Sequence, residues 1–316
     1  MKTPLISLII PHKNTPLLLQ RLLSTVPDRE EVQVIVVDDN SDADMVQQDS
    51  FPGFGRLFTE VLFTHEGRGA GYARNCGLEK ALGEWLLFAD SDDFFTDGAF
   101  GTLLQQASVS EADIVYFSYT SCDSDTLEPT PRFHAYMRYI DEFVANPSEY
   151  SENMLRFRHD IPWGKLIRRN LVESNGIQFD ETRYCNDTIF STRTAMTARH
   201  VEVCTVPIYC VTTREGSLVT QMSRQAVLIR LEVILRKNNL LNQWITPPHT
   251  HTHHSVSSGS SLVYCQLPIY GYIVQAVREG CFFQACSLIR RYHGSPFVGV
   301  GAALQRRWRR WMGHNP

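Results

Sequence analysis

Several features that would settle the class of this chain quickly are missing. Its eight cysteines include no Cys-x-x-Cys pair, which argues against a structural zinc site and against a small disulfide scaffold. A reducing compartment, the cytoplasm, is the expectation. No apolar run reaches the ~18 residues of a bilayer-spanning helix. The nearest, 262–277, is broken by Gln266, Pro268 and Gln275. The N-terminus has neither the apolar length nor the small-residue cleavage site of a signal peptide and reads as a first strand. Acidic residues are absent after Glu279, where Arg290, Arg291, Arg306, Arg307, Arg309 and Arg310 supply six positive charges; with a net charge of −4 overall, everything before them carries −10. A basic end on an acidic body points to a polyanionic surface, membrane or nucleic acid, as partner.

What is present is ordinary in bulk and specific in detail. The 316 residues, 43% hydrophobic and 20% charged, suffice for about two domains of a globular protein. Leu5-Ile-Ser-Leu-Ile-Ile10 and Val32-Gln-Val-Ile-Val-Val37 are continuous apolar runs with a leucine-patterned helix at 15–26 between them, as expected of a parallel sheet buried on both faces. The second run breaks into Asp38-Asp39-Asn40-Ser41. A third, Trp85-Leu-Leu-Phe-Ala-Asp90-Ser91-Asp92-Asp93, ends in three carboxylates within four residues. Such carboxylates repel one another and raise each other's pKa unless a cation sits between them, so a divalent metal with oxygen ligands is the expectation. An acidic turn capping the next helix is the plainer alternative. Right-handed crossovers put both acidic ends on one edge of the sheet, where ligands of open α/β folds collect.

Between these strands, 42–60 reads as variable helix and loop and 61–64 as a short strand. His65-Glu-Gly-Arg-Gly-Ala-Gly71 brings three glycines but misses the G-x-G-x-x-G spacing of a dinucleotide loop. The helix after it carries Arg74 in its first turn, placed to face the acidic edge. Further on, 120–135 reads as a loop, Asp187 opens a helical pattern, and 201–211 reads as a strand pair interrupted at Pro207. A long amphipathic helix covers 222–245. Residues 247–261 have linker composition; the four histidines at 249–254 are spaced too tightly for a tetrahedral zinc site. In 296–312 one helical face would carry Phe297, Val300, Leu304, Trp308 and Trp311 with arginines opposite, the pattern of an interfacial helix or of a face packed on the body.

Four segments in this order resemble the inverting family-2 glycosyltransferases of GT-A fold that build bacterial polysaccharides. They are Ser7-Leu-Ile-Ile-Pro-His-Lys-Asn14; Val34-Ile-Val-Val-Asp-Asp-Asn-Ser41; Ala73-Arg-Asn-Cys-Gly77 with Ala81-Leu-Gly-Glu-Trp-Leu-Leu-Phe-Ala-Asp-Ser-Asp-Asp93; and Trp163-Gly-Lys-Leu with Phe179 and Asn186-Asp187. The resemblance spans about 5–195. It implies an α/β GT-A catalytic domain over 1–215, a mostly parallel Rossmann-like sheet flanked by helices; it does not extend to 216–316, which its amphipathic patterns alone mark as a helical C-terminal region. It further implies a nucleotide-sugar pocket of Pro11, Lys13, Asn14, Asp39, Arg74, Asp90 and Ser91, with Asp90 and Asp92 as the D-x-D motif. Asp92 would be the direct ligand of Mn2+ or Mg2+, and Asp187 the general base. Two positions depart from the family pattern. Lys13 stands where an aromatic is usual, and Asn186 replaces the usual Glu.

The expected activity is metal-dependent hexosyl transfer to a hydroxyl of a glycan or lipid-linked acceptor, in the cytoplasm or on the inner face of the membrane through the C-terminal tail. A sugar nucleotidyltransferase would need a Gly-rich loop with a basic residue after the first strand, which Pro11-His12-Lys13-Asn14 does not supply. A non-catalytic nucleotide-sugar-binding module could dispense with Asp92 or Asp187, and both are present. Nucleic acid is disfavoured as a partner by the acidic body.

Overall fold

The computed structural model describes residues 3–46, 48–132, 134–214, 222–245 and 269–293. The chain divides into two compact units, Met1–Ser217 and Leu218–Pro316. The expected linker with its histidines and the basic tail lie outside the described residues.

The first unit holds eight strands: β1 (Ile6–His12), β2 (Val32–Asp39), β3 (Thr59–Thr64), β4 (Trp85–Phe88), β5 (Phe94–Phe95), β6 (Ile114–Asp123), β7 (Lys165–Arg168) and β8 (Val201–Thr213). They form one sheet in the order β3-β2-β1-β4-β7-β6-β8-β5. The pairings within β3-β2-β1-β4 are all parallel, as is β6 with β8, whereas β7 runs antiparallel to both its neighbours and β5 antiparallel to β8. Every residue of β1 is buried, which explains its unbroken apolar run: helices cover both faces. Pro11, with no N–H to donate, lies past the last β1–β4 partner, Ile9 with Phe88, so that side of the ladder loses nothing.

The covering helices of this unit are α1 (Pro16–Ser24), α2 (Ala70–Lys80), α3 (Ala99–Val109), α4 (His134–Ala145), α5 (Glu149–Arg158), α6 (Arg169–Ser174) and α7 (Thr188–Thr197). Helix α1 starts with Pro at its first turn and buries Leu19, Leu22 and Leu23. Trp85 packs beneath α3 and donates its indole N–H to the Ala107 carbonyl at 2.9 Å.

Three expectations need correction. Among its described residues the segment 42–60 holds a short 3-10 turn at Gln48–Ser50 and the first two residues of β3, and no α-helix. The expected loop at 120–135 begins as the last residues of β6 and ends in the first turn of α4. The segment 201–211 lies within one strand, not a pair. The β6–β8 register jumps from Phe117–Cys204 to Ser118–Pro207 and then Tyr119–Tyr209, so Pro207 sits in a bulge where the ladder is already interrupted.

In the second unit α8 (Arg224–Ile245), α9 (Tyr270–Arg278) and α10 (Phe282–His293) bury Val227, Leu231 and Leu235 against Ala276, Cys281, Ala285 and Ile289. Among the described residues no helix is long and apolar enough to cross a membrane.

Candidate active site

Strand β1 lies between β2 and β4, so the strand order reverses there and opens a crevice at the carboxyl ends of the three. Each end contributes polar groups. On the β1–β2 side His12 Nε2 accepts the Thr15 N–H at 3.1 Å, which leaves Nδ1 to donate to Asp38 Oδ1 at 2.6 Å. Burial pushes the Asp38 carboxyl upward, but bonds from His12 and Ser41 prevail and hold it below the usual carboxylate range. Lys13 reaches across to the carbonyls of Asp39 and Asn40 at 2.8 and 3.2 Å. Asn14, in the left-handed region at φ 56°, exchanges two bonds with Asp42 and donates its N–H to Ser41. Asp39 accepts the Gly69 N–H at 2.7 Å, tying the glycine loop before α2 to the end of β2.

The three carboxylates after β4 are not clustered around one void. Asp90 accepts from Arg74 Nη2 at 2.5 Å. Asp93 is buried and accepts from the Tyr209 hydroxyl at 2.9 Å and the Thr212 N–H at 2.7 Å; burial and the neighbouring Asp92 and Asp90 push its carboxyl well above the usual range. Asp92 remains, with a partly exposed carboxylate whose hydrogen-bond partner is Arg214 Nε at 3.1 Å. Burial and the nearby Asp90 raise its pKa, against the pull of Arg214. Among the described residues no cluster of three His, Cys, Asp or Glu could cage an ion. One available carboxylate in a charged crevice suits a metal that arrives with phosphate oxygens, as Mg2+ commonly does, better than a preformed cage. Ser91 lies 3.3 Å from the Thr15 hydroxyl and so joins the two sides of the crevice.

Arg74 connects this edge to the far wall. Its guanidinium, buried over the Phe179 ring, donates to Asp90 and, through Nη1, to Asn186 Oδ1 at 2.8 Å, while its Nε is buried without a partner. Residue 186 adjoins Asp187, which occupies the N-cap position of α7 but makes no capping bond with its side chain. That carboxyl is pushed up to about 6 by burial, with Asp160 and Asp90 adding to the rise and Arg74 opposing it. Gly71 makes the approach of α2 possible: a Cβ there would stand 1.9 Å from the Asp180 carbonyl. Behind the D-x-D turn Trp163 stacks on Tyr209 with centroids 5.4 Å apart.

The family profile of glycosyl transferase family 2 matches residues 7–176. The chain belongs to that family. It is 25% identical to the putative glycosyltransferase EpsH of Bacillus subtilis strain 168 over 97% of each chain. Its fold is similar to that of S. aureus TarS residues 1–349 in complex with UDP-GlcNAc, with a TM-score of 0.61, 19% identity and coverage of 91% of this chain and 81% of that one. It is also similar to the mannosyltransferase PcManGT of Pyrobaculum calidifontis in complex with GDP-Man and Mn2+, with a TM-score of 0.54, 15% identity and coverage of 98% and 84%. The protein is therefore a glycosyltransferase with a GT-A fold and a helical C-terminal region.

The candidate donor, metal and base residues fall into two groups at the carboxyl end of the sheet. Pro11, Lys13, Asn14 and Asp39 form the β1–β2 side, and Arg74, Asp90, Ser91, Asp92 and Asp187 the other. Not anticipated were His12 with Asp38, Thr212 and Tyr209 beneath the acidic turn, Arg214 on Asp92, and Asp160 near Asp187. The Asp38-x-x-Ser41 spacing, an Asx-turn pattern, could have exposed the first; the others come from residues remote in sequence.

Proposed function

We propose that this glycosyltransferase moves a hexose from a nucleoside-diphosphate sugar to a hydroxyl of a glycan or lipid-linked acceptor, with inversion and with a divalent metal, in the assembly of a bacterial surface polysaccharide. The observation that carries this reading is Arg74: one buried guanidinium bonds both the D-x-D residue Asp90 and the neighbour of Asp187. The carboxylate that would face the leaving diphosphate is thereby linked through one side chain to Asn186, the residue before the one that would take the acceptor's proton. Lys13 and Asp39 would line the nucleoside end, and Asp92 would hold the metal. Mn2+ or Mg2+ bound there would neutralise charge developing on the diphosphate as the bond to C1 breaks. Asp187, uncapped and raised to about 6, is ionised at neutral pH yet basic enough to draw a proton from a hydroxyl in one in-line displacement. The place of action we infer is the cytoplasmic face of the membrane, with the basic C-terminal segment as the contact.

The test is thermal stabilisation and sugar-nucleotide hydrolysis across UDP-, GDP- and dTDP-sugars with Mn2+, in wild type and Asp92→Ala. One nucleotide class should stabilise the wild type only when metal is added, and the variant, folded as judged by circular dichroism, should lose that response. Equal metal-dependent stabilisation of both proteins would sink the D-x-D assignment.

A further inference from the structure

Arg214 is the first residue after β8, and the fold leaves it little choice of place. Two residues earlier, Thr212 is fastened to the acidic turn twice, its N–H to Asp93 Oδ1 at 2.7 Å and its hydroxyl to the Asp92 carbonyl at 2.8 Å. In an extended chain residues i and i+2 share a face, so Arg214 projects over the same turn as Thr212. Its Nε reaches Asp92 Oδ2 at 3.1 Å, with the arginine side chain 43% and the aspartate side chain 30% exposed. The turn itself is held from below, where Arg21 Nη2 donates to the Asp92 carbonyl at 2.7 Å and Asp93 is locked by Tyr209. Asp92 therefore cannot leave, and Arg214 can.

We propose that Arg214 is an exchanging counter-cation: it neutralises Asp92 while no metal is bound, and it turns onto the diphosphate of the sugar nucleotide once metal has taken the carboxylate. The inference rests on Asp92 as metal residue. A guanidinium and a divalent ion compete for one carboxylate, since each loses attraction to an oxygen already neutralised by the other. The displaced guanidinium is tethered at Thr212 and stays near any phosphate that the ion brings. It is always charged, exposed enough to rotate, and carries a planar fork of donors that matches phosphate oxygens, which a lysine would not.

The roles predict opposite signs in two binding measurements on the full chain, neither of them an activity assay. With Mn2+ alone, followed by the loss of the free-ion paramagnetic resonance signal, Arg214→Gln should bind more tightly than wild type, by about threefold for loss of a partly exposed ion pair. With UDP or GDP in saturating Mn2+, followed by calorimetry, the same variant should bind about tenfold more weakly for loss of a charge-assisted bond to phosphate. Arg214→Lys should restore the Mn2+ affinity to the wild-type value and the nucleotide affinity only in part. Unchanged Mn2+ affinity in Arg214→Gln overturns the exchange, and so does unchanged nucleotide affinity. Asp92→Ala tells the failure of the metal site from the failure of the exchange. If it binds Mn2+ as wild type does, the metal assignment fails and the exchange falls with it; if it loses Mn2+ binding, the metal site stands and the two Arg214→Gln affinities decide whether the guanidinium exchanges.

Discussion

Asp187 is a carboxylate raised to about 6 at the N-cap of a helix, where an aspartate is ordinarily kept ionised by the backbone N–H groups it caps. The missing cap bond is what leaves the group available as a base. A base works only when deprotonated, so kcat/KM should rise with pH through about 6 and level off above it. Asp160 adds to the rise, so Asp160→Asn should move this acid limb to lower pH; a limb that stays in place would show that Asp160 has no part in setting it. Because the folded state holds this proton more tightly than the usual 3.8, the group's contribution to stability is full below about 4 and declines as pH rises through about 6. Asp187→Asn removes that decline. It should therefore raise the melting temperature at pH 7 while lowering transfer by roughly 10²–10⁴ and leaving donor affinity unchanged. Transfer within about tenfold of wild type would end the case for Asp187 as base. The residue type and its place before a helical pattern were legible from the sequence; the absent cap and the influence of Asp160, 27 positions away, were not, since both depend on how α5 and α7 pack.

The elements that hold these side chains were legible in proportion to how strongly they are buried. Strands β1, β2 and β4 showed as unbroken apolar runs because both their faces are covered, and their acidic ends fell together because parallel crossovers permit one arrangement. β5 is two residues long and α5 is charged at Glu149, Glu152, Arg156 and Arg158, so no period marked them, whereas α4 does carry Tyr136, Met137, Ile140 and Phe143 at helical spacing. Yet α5 steadies the base: buried Arg156 donates to the carbonyls of Ala195, Ala198 and Arg199, closing the C-terminal end of α7, whose N-terminus is Asp187. Arg156→Met should cost about 2–4 kcal/mol in chemical denaturation for those carbonyls and the buried charge pairing with Glu152. Gly71→Ala acts at the other end. Its new Cβ, 1.9 Å from the Asp180 carbonyl, would force α2 off the 180–187 loop and separate Arg74 from Asn186. We expect a loss of about 3 kcal/mol or more, and donor affinity reduced as well, whereas Arg156→Met should spare donor affinity. Donor binding equally affected in both would mean that α7, not Arg74, shapes the donor side.

At the scale of the whole molecule the charge is divided: the stretch through Glu279 carries −10 and the remainder +6. The second unit already exposes apolar groups among its described residues, with Val277 59%, Phe282 40% and Phe283 85% accessible, on helices that also bear Arg278, Arg290 and Arg291. Beyond the described residues the sequence continues the same combination in Phe297, Leu304, Trp308 and Trp311 among Arg306, Arg307, Arg309 and Arg310. An acceptor built on a lipid carrier stays at the membrane, so an enzyme held there meets it by diffusion in two dimensions. Each basic side chain near an anionic leaflet contributes about 1 kcal/mol and the aromatics add apolar burial, enough together for reversible attachment. The competing arrangement packs the tail's aromatic face on the body of the protein and predicts no lipid dependence. Sedimentation with vesicles containing anionic lipid separates the two. The full chain should pellet at low salt and be released at high salt, because the arginine contribution is screened while the apolar one is not. A chain ending at residue 295 should remain in the supernatant at both. If full and shortened chains behave alike, the basic tail is not the anchor and attachment, where present, belongs to the exposed phenylalanines of α10.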